Sequence, residues 1–169
     1  MTPFNQTLFT STSAVCVTGL AVLDTGSYWS VFGQVVILLL IQIGGLGVVT
    51  VAVSVFMLSG RKISLMQRST MQNAISAHKV GGIVRLTKFI LKGTLFIEMA
   101  GALALLPVFY HDFGRKGIWM AVFHSISAFC NAGFDILGTP ANPFPSITAY
   151  AGNPIVNVVI MFLIIAGGI

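Results

Sequence analysis

No charged residue occurs between Thr25 and Gly60. A helix that is apolar all round has no solvated face, so it is buried in a large protein or it spans a membrane. Val31 to Leu58 (VFGQVVILLLIQIGGLGVVTVAVSVFML) is ample for one tilted spanning helix, which needs about 20 residues. Its polar residues are Gln34, Gln42, Thr50 and Ser54, and Gly44, Gly45 and Gly47 interrupt its middle. A glycine cluster in such a helix admits a neighbouring backbone or marks a bend. Close packing carries more weight here than a gating role.

Composition agrees with a membrane setting. Hydrophobic residues make up 56% of the 169 and charged residues 8%, with a mean hydropathy of +0.94. Soluble domains carry roughly 25% charged residues. The length accommodates about three spans with short connections. The net charge of +5 invites a nucleic-acid reading, but seven of the nine Lys and Arg lie together: Arg61, Lys62, Arg68, Lys79, Arg85, Lys88 and Lys92. One basic connection between apolar segments is the positive-inside pattern, so residues 61–92 are expected to be cytoplasmic, as a surface-lying helix or a solvated loop. Nucleic acid is excluded as a partner; the lipid bilayer is the expected one. Cys16 and Cys130 stand in apolar context without metal or redox spacing. Nothing after Met1 resembles a signal peptide. The expectation is a multi-pass protein of the cell membrane.

Gly93 to Tyr110 reads as a second span, begun a few residues earlier if Lys88 and Lys92 snorkel. Glu98 lies about 9 Å deeper than Lys92. An intramembrane carboxylate is costly, so Glu98 is either functional or part of an ion pair near the basic end. Pro107 is expected to kink or end this helix. His111, Asp112, Arg115 and Lys116 then form a short extracellular connection. Ile118 to Phe134 is too short and too polar for a comfortable span and reads as a re-entrant helix followed by small residues. Residues 138–152 are a loop by their Pro and Gly content, and Asn153 to Ile169 form a further span.

The chain contains a repeat. Ser11–Leu23 (STSAVCVTGLAVL) aligns without gaps to Ser125–Leu137 (SISAFCNAGFDIL). The identities pair Ser11 with Ser125, Ser13 with Ser127, Ala14 with Ala128, Cys16 with Cys130, Gly19 with Gly133 and Leu23 with Leu137. Each copy precedes a loop and an apolar helix, and Ile43-Gly44-Gly45-Leu46 corresponds to Ala166-Gly167-Gly168-Ile169. The unit is short helix, small-residue turn, spanning helix, which is the shape of a pore module. A helix stopping at mid-membrane aims its partial negative end inward, favouring a cation. Extended residues after it can replace a cation's hydration shell with carbonyl oxygens, and glycine permits the torsions this needs.

Thr12–Leu20 (TSAVCVTGL) and Ser127–Phe134 (SAFCNAGF), together with Gln42–Gly47 (QIGGLG), resemble the Trk/Ktr/HKT superfamily of potassium transporters, especially the bacterial Ktr membrane subunit. The resemblance runs along the whole chain. It implies an all-α integral membrane fold of span–pore-loop–span repeats, four of them around one pore. It also implies that Cys16, Val17, Thr18 and Gly19 form one selectivity filter and Cys130, Asn131, Ala132 and Gly133 another, binding potassium through backbone carbonyls. Glycine at Gly19 corresponds to potassium selectivity; serine there accompanies sodium transport. By the same resemblance the parent protein is a homodimer, transport is coupled to sodium or gated by a cytosolic nucleotide-binding subunit, and there is no cofactor beyond the transported ion.

On this reading, residues 1–60 are the pore loop and inner helix of repeat one, 61–92 the cytoplasmic connection, and 93–169 the span, pore loop and inner helix of repeat two. Two of four filters are present, so the chain is expected to be a piece of a longer protein and not to conduct alone. A non-conducting membrane piece with a structural or regulatory role is the alternative. Asp135, just past the second filter, either attracts cations at the outer mouth or caps the following loop. An enzyme is not expected: His78, His111, His124, Asp112, Asp135 and Glu98 show no metal spacing and no nucleophile–base pairing.

Overall fold

The computed structural model describes residues 2–47, 50, 51, 54, 55 and 83–168. These form α1 (Phe4–Val15), α2 (Val31–Leu46), α3 (Ile83–Phe113), α4 (Arg115–Phe129) and α5 (Pro154–Gly168), with a 3-10 turn at Ser146–Tyr150. The described residues contain no strand; the sole β feature among them is an isolated bridge between Thr139 and Asn142. The expected all-α fold is therefore observed.

Two compact units divide the chain, one of Met1–Gly45 with Ile97–Ile169 and one of Leu46–Phe96. The first holds α1, α4 and α5 with most of α2. One of its cores brings Ala14 of α1, Ile37 and Ile41 of α2 and Phe123 of α4 together with Ala132 and Phe134. Another joins Leu105 and Phe109 of α3 to Ala121 of α4, Tyr150 of the 3-10 turn and Val156 of α5. Between helices in lipid, apolar burial gains little, so close fit and interhelical hydrogen bonds must hold such clusters. Glycines supply the fit: a Cβ at Gly101 would lie 2.6 Å from Ser125 Oγ and 2.8 Å from Leu163. Met99, Leu103, Phe162 and Ile165 project outward, as lipid-facing positions would. In the second unit, the described start of α3 buries Thr87 and Thr94.

Several expectations need correction. The helix from Val31 does not run unbroken to Leu58. It stops at Leu46, and Gly47 adopts a left-handed φ of +79° before Thr50, Val51, Ser54 and Val55 are again helical. Residues 56–60 lie outside the described residues, as do Arg61, Lys62, Arg68 and Lys79. Pro107 neither ends nor breaks α3, which continues to Phe113. Proline is tolerated in membrane helices because neighbours re-satisfy the freed carbonyl. His111 and Asp112 belong to the last turn of α3, and Arg115 and Lys116 open α4, so Gly114 alone connects the two helices. Its φ of +59° lets the chain reverse there. Of the described helices, the one over Arg85–Phe113 is long and apolar enough to cross a membrane; Val31–Leu46 and Pro154–Gly168 are shorter.

Candidate functional site

The two repeated segments end their helices in the same way. Cys16 (φ −81°, ψ −1°) caps α1 and Cys130 (φ −74°, ψ −1°) caps α4. The next residues are left-handed, Val17 at +56° and Asn131 at +55°. Two residues further on, Gly19 stands at +72° and Gly133 at +71°. The hydrogen bonds repeat as well. Thr18 N–H donates to Ser13 O at 3.0 Å and Val17 N–H to Ala14 O at 3.3 Å. Ala132 N–H donates to Ser127 O at 2.8 Å and Asn131 N–H to Ala128 O at 3.0 Å. A left-handed residue after the cap permits this doubled closure of a helix end. Asparagine tolerates that conformation, whereas a β-branched valine there is an outlier.

These closures occupy carbonyls at the helix ends. The oxygens that follow stay open: among the described residues, nothing donates to the carbonyls of Cys16, Val17, Thr18 and Gly19 or of Cys130, Asn131, Ala132 and Gly133. Eight main-chain acceptors are thus left free along two short segments. The segments meet at their glycines. A Cβ at Gly19 would lie 2.8 Å from Ala132 O and 3.3 Å from Gly133 Cα. On one side of this meeting, a cavity of about 200 Å³ is lined by Gly19, Leu20, Asp24, Gly133, Asp135 and Phe144.

The helices following each segment pack on it through matched glycines. Gly44 of α2 abuts the carbonyl of Val15, the last residue of α1. Gly167 of α5 abuts the carbonyl of Phe129, the last residue of α4. Val15 and Phe129 are counterparts in the repeat. Gly45 adds a contact with the Cys130 side chain. The glycine cluster thus serves close packing at Gly44 and Gly45 and a break at Gly47.

Side chains behind the segments are tied by hydrogen bonds. Ser13 and Thr18 hydroxyls lie 2.8 Å apart, and Ser127 Oγ donates to Phe134 O at 2.6 Å. His124 is buried, with Nδ1 2.7 Å from Met120 O and its ring 5.2 Å from that of Phe109. Glu98 is also buried. It accepts from Gln42 Nε2 at 2.9 Å, so among the described residues its side-chain partner is a glutamine and not a basic residue.

Asp135 accepts from Leu137 N–H at 3.1 Å and so caps the following loop. Burial, with a smaller push from the charge of Asp24, raises its carboxyl above its ordinary value; the Leu137 bond opposes this. Asp24 is the residue that sequence reading missed. It is buried, takes Ser27 N–H at 2.7 Å and Phe144 N–H at 3.0 Å, and lies against Gly138. An Asp followed three residues later by Ser is a turn signal that marks it. The other titratable candidates are not gathered: His111 and Asp112 pair with each other at 2.8 Å on an exposed helix end, where Tyr150 OH donates to Asp112. His78 lies outside the described residues. No group of three potential metal-ligating side chains occurs among the described residues.

Apolar helices closed around two matched irregular segments define an all-α protein of membrane type. The family model of TrkH, cation transport protein, matches residues 1–169, and the chain belongs to that family. The potassium/sodium uptake protein NtpJ of Enterococcus hirae is 43% identical over 169 residues, covering 99% of this chain and 36% of its own length. The Ktr system potassium uptake protein B of Bacillus subtilis is 46% identical over 163 residues, covering 96% of this chain and 35% of its own length. The Vibrio alginolyticus protein of that name is 35% identical over 163 residues, 34% of its own length. The chain thus spans about a third of the length of these relatives.

Proposed function

We propose that this chain forms part of a potassium-translocating pore in the cell membrane, with Cys16–Gly19 and Cys130–Gly133 as two of its filter segments. The observation that carries the reading is the pair of segments with repeated torsions, donor-free carbonyls and touching glycines. A dehydrated cation needs several oxygens at once, and backbone carbonyls held by a rigid helix end supply them without reorganisation. The C-terminal ends of α1 and α4 add partial negative charge. The relatives named as potassium uptake proteins support the choice of ion.

In the complete transporter, two further segments close the cage, residues 61–92 face the cytoplasm, and a homodimer engages a cytosolic nucleotide-binding subunit. Sodium coupling belongs to the same proposal. The parent protein should restore growth of a potassium-uptake-deficient cell in low potassium. Gly19→Ser should weaken its discrimination against sodium; unchanged selectivity in rubidium uptake would remove Gly19 from the filter. Absence of any rubidium uptake by the parent would favour the non-conducting, structural role.

A further inference from the structure

Glu98 and Gln42 lie behind the second segment and face one another from α3 and α2. Gln42 has an amide with two different ends. Its Nε2 donates to Glu98 Oε1 at 2.9 Å, which turns Oε1 the other way. There it meets the Cys130 thiol, with 4.0 Å between sulfur and oxygen. A carboxylate only accepts hydrogen bonds, so Glu98 determines which end of the amide faces it and leaves the oxygen for the thiol. Glu98 is itself fixed in place: its main-chain carbonyl takes Ser125 Oγ–H at 2.6 Å, and Gly101 lets α4 come close enough for that bond. Cys130 is held from another side by Gly45, three residues on from Gln42 in the same helix. The cysteine is therefore gripped between Gln42 and Gly45 of α2, and it is the first residue of the segment that meets Gly19.

We infer that Glu98, acting through Gln42, is a positioning residue for the Cys130–Gly133 segment and thereby sets ion selectivity. The inference rests on the filter reading above. The carboxylate does not touch the ion. It fixes one amide orientation, the amide oxygen holds the thiol, and the thiol sets where the carbonyls of residues 130–133 begin. With glutamine at position 98, the partner can donate as well as accept, so the Gln42 amide is free to reverse and present Nε2 to the thiol.

The test is rubidium uptake against increasing sodium in potassium-uptake-deficient cells expressing the complete transporter, read as the ratio of sodium to rubidium affinity. Glu98→Gln should narrow that ratio by about tenfold, the effect of one charge-assisted hydrogen bond. The Glu98→Gln, Gln42→Leu double variant should be no worse than Gln42→Leu alone, because both act along one path. A wild-type ratio in Glu98→Gln, or additive losses in the double variant, overturns the inference. Where Glu98→Gln fails to reach the membrane, Cys130→Ala decides: it removes only the final link, and an unchanged ratio there overturns the inference too. Gly19→Ser separates the two levels. A shift in Gly19→Ser without one in Glu98→Gln leaves the filter standing and sinks only the positioning role; no shift in either sinks both.

Discussion

Gly19 and Gly133 face each other backbone to backbone, with room at Gly19 for a hydrogen but not for a methyl group: a Cβ there would stand 2.8 Å from Ala132 O. The environment is unequal from the two sides. A Cβ at Gly133 would meet only Gly19 Cα, at the ordinary distance of 3.5 Å.

Alanine at either position pays for a left-handed backbone, about 1–2 kcal/mol. Gly19→Ala adds a clash with a main-chain oxygen that cannot rotate away. Thermal unfolding of the purified parent protein should therefore fall further for Gly19→Ala than for Gly133→Ala. Equal losses would mean that the segments do not touch as described.

Gly44 and Gly47 separate two reasons for glycine. Gly44 abuts the Val15 carbonyl and its own backbone is helical, so alanine there costs through overpacking, about 1–3 kcal/mol or more. Gly47 has nothing among the described residues within 4 Å of a Cβ but stands at φ +79°. Gly47→Ala should lower stability by only about 1 kcal/mol, and Gly47→Asn by less, since asparagine tolerates that conformation. Gly44→Asn should not recover in this way. Denaturation midpoints of the four variants check the contrast.

Asp135 provides the pH test. Its carboxyl holds a proton more firmly in the folded protein than in the unfolded chain, chiefly because it is half-buried. Stability contributed by this group is then lost as pH rises through the raised value and regained on acidification. Asp135→Asn should unfold at a higher temperature than the wild type at pH 7, and the gap should close as pH falls towards the ordinary carboxylate range. A gap that widens with acid would contradict the burial of this side chain.

Much of the site is legible in the sequence because the repeat is written there. Six shared identities between Ser11–Leu23 and Ser125–Leu137 correspond to helix ends with the same torsions and hydrogen bonds. The glycine pairs were legible for the same reason, since only close approach explains Gly44 and Gly167 at matched places. A helix end at Pro107 and a loop over His111–Lys116 misled because local propensity argues against a helix there. Tertiary context overrides it: Tyr150 bonds Asp112, Gly117 packs on the Phe109 carbonyl, and one glycine suffices as a connection. Asp24 and the Gln42–Glu98 pair were illegible because their partners lie far along the chain, at Phe144 and across two helices.

Val17 and Asn131 share a left-handed backbone but nothing of size, polarity or branching. The conformation is duplicated and the side chain is not. In an assembly of identical chains, any substitution is copied to every position around the axis. Here each copy is encoded separately, so valine can line one flank while asparagine, which also reaches Ile164 O at 3.3 Å, anchors the other. Two segments built in this way can be lopsided by inheritance, each side adjusted on its own while the shared backbone keeps the geometry.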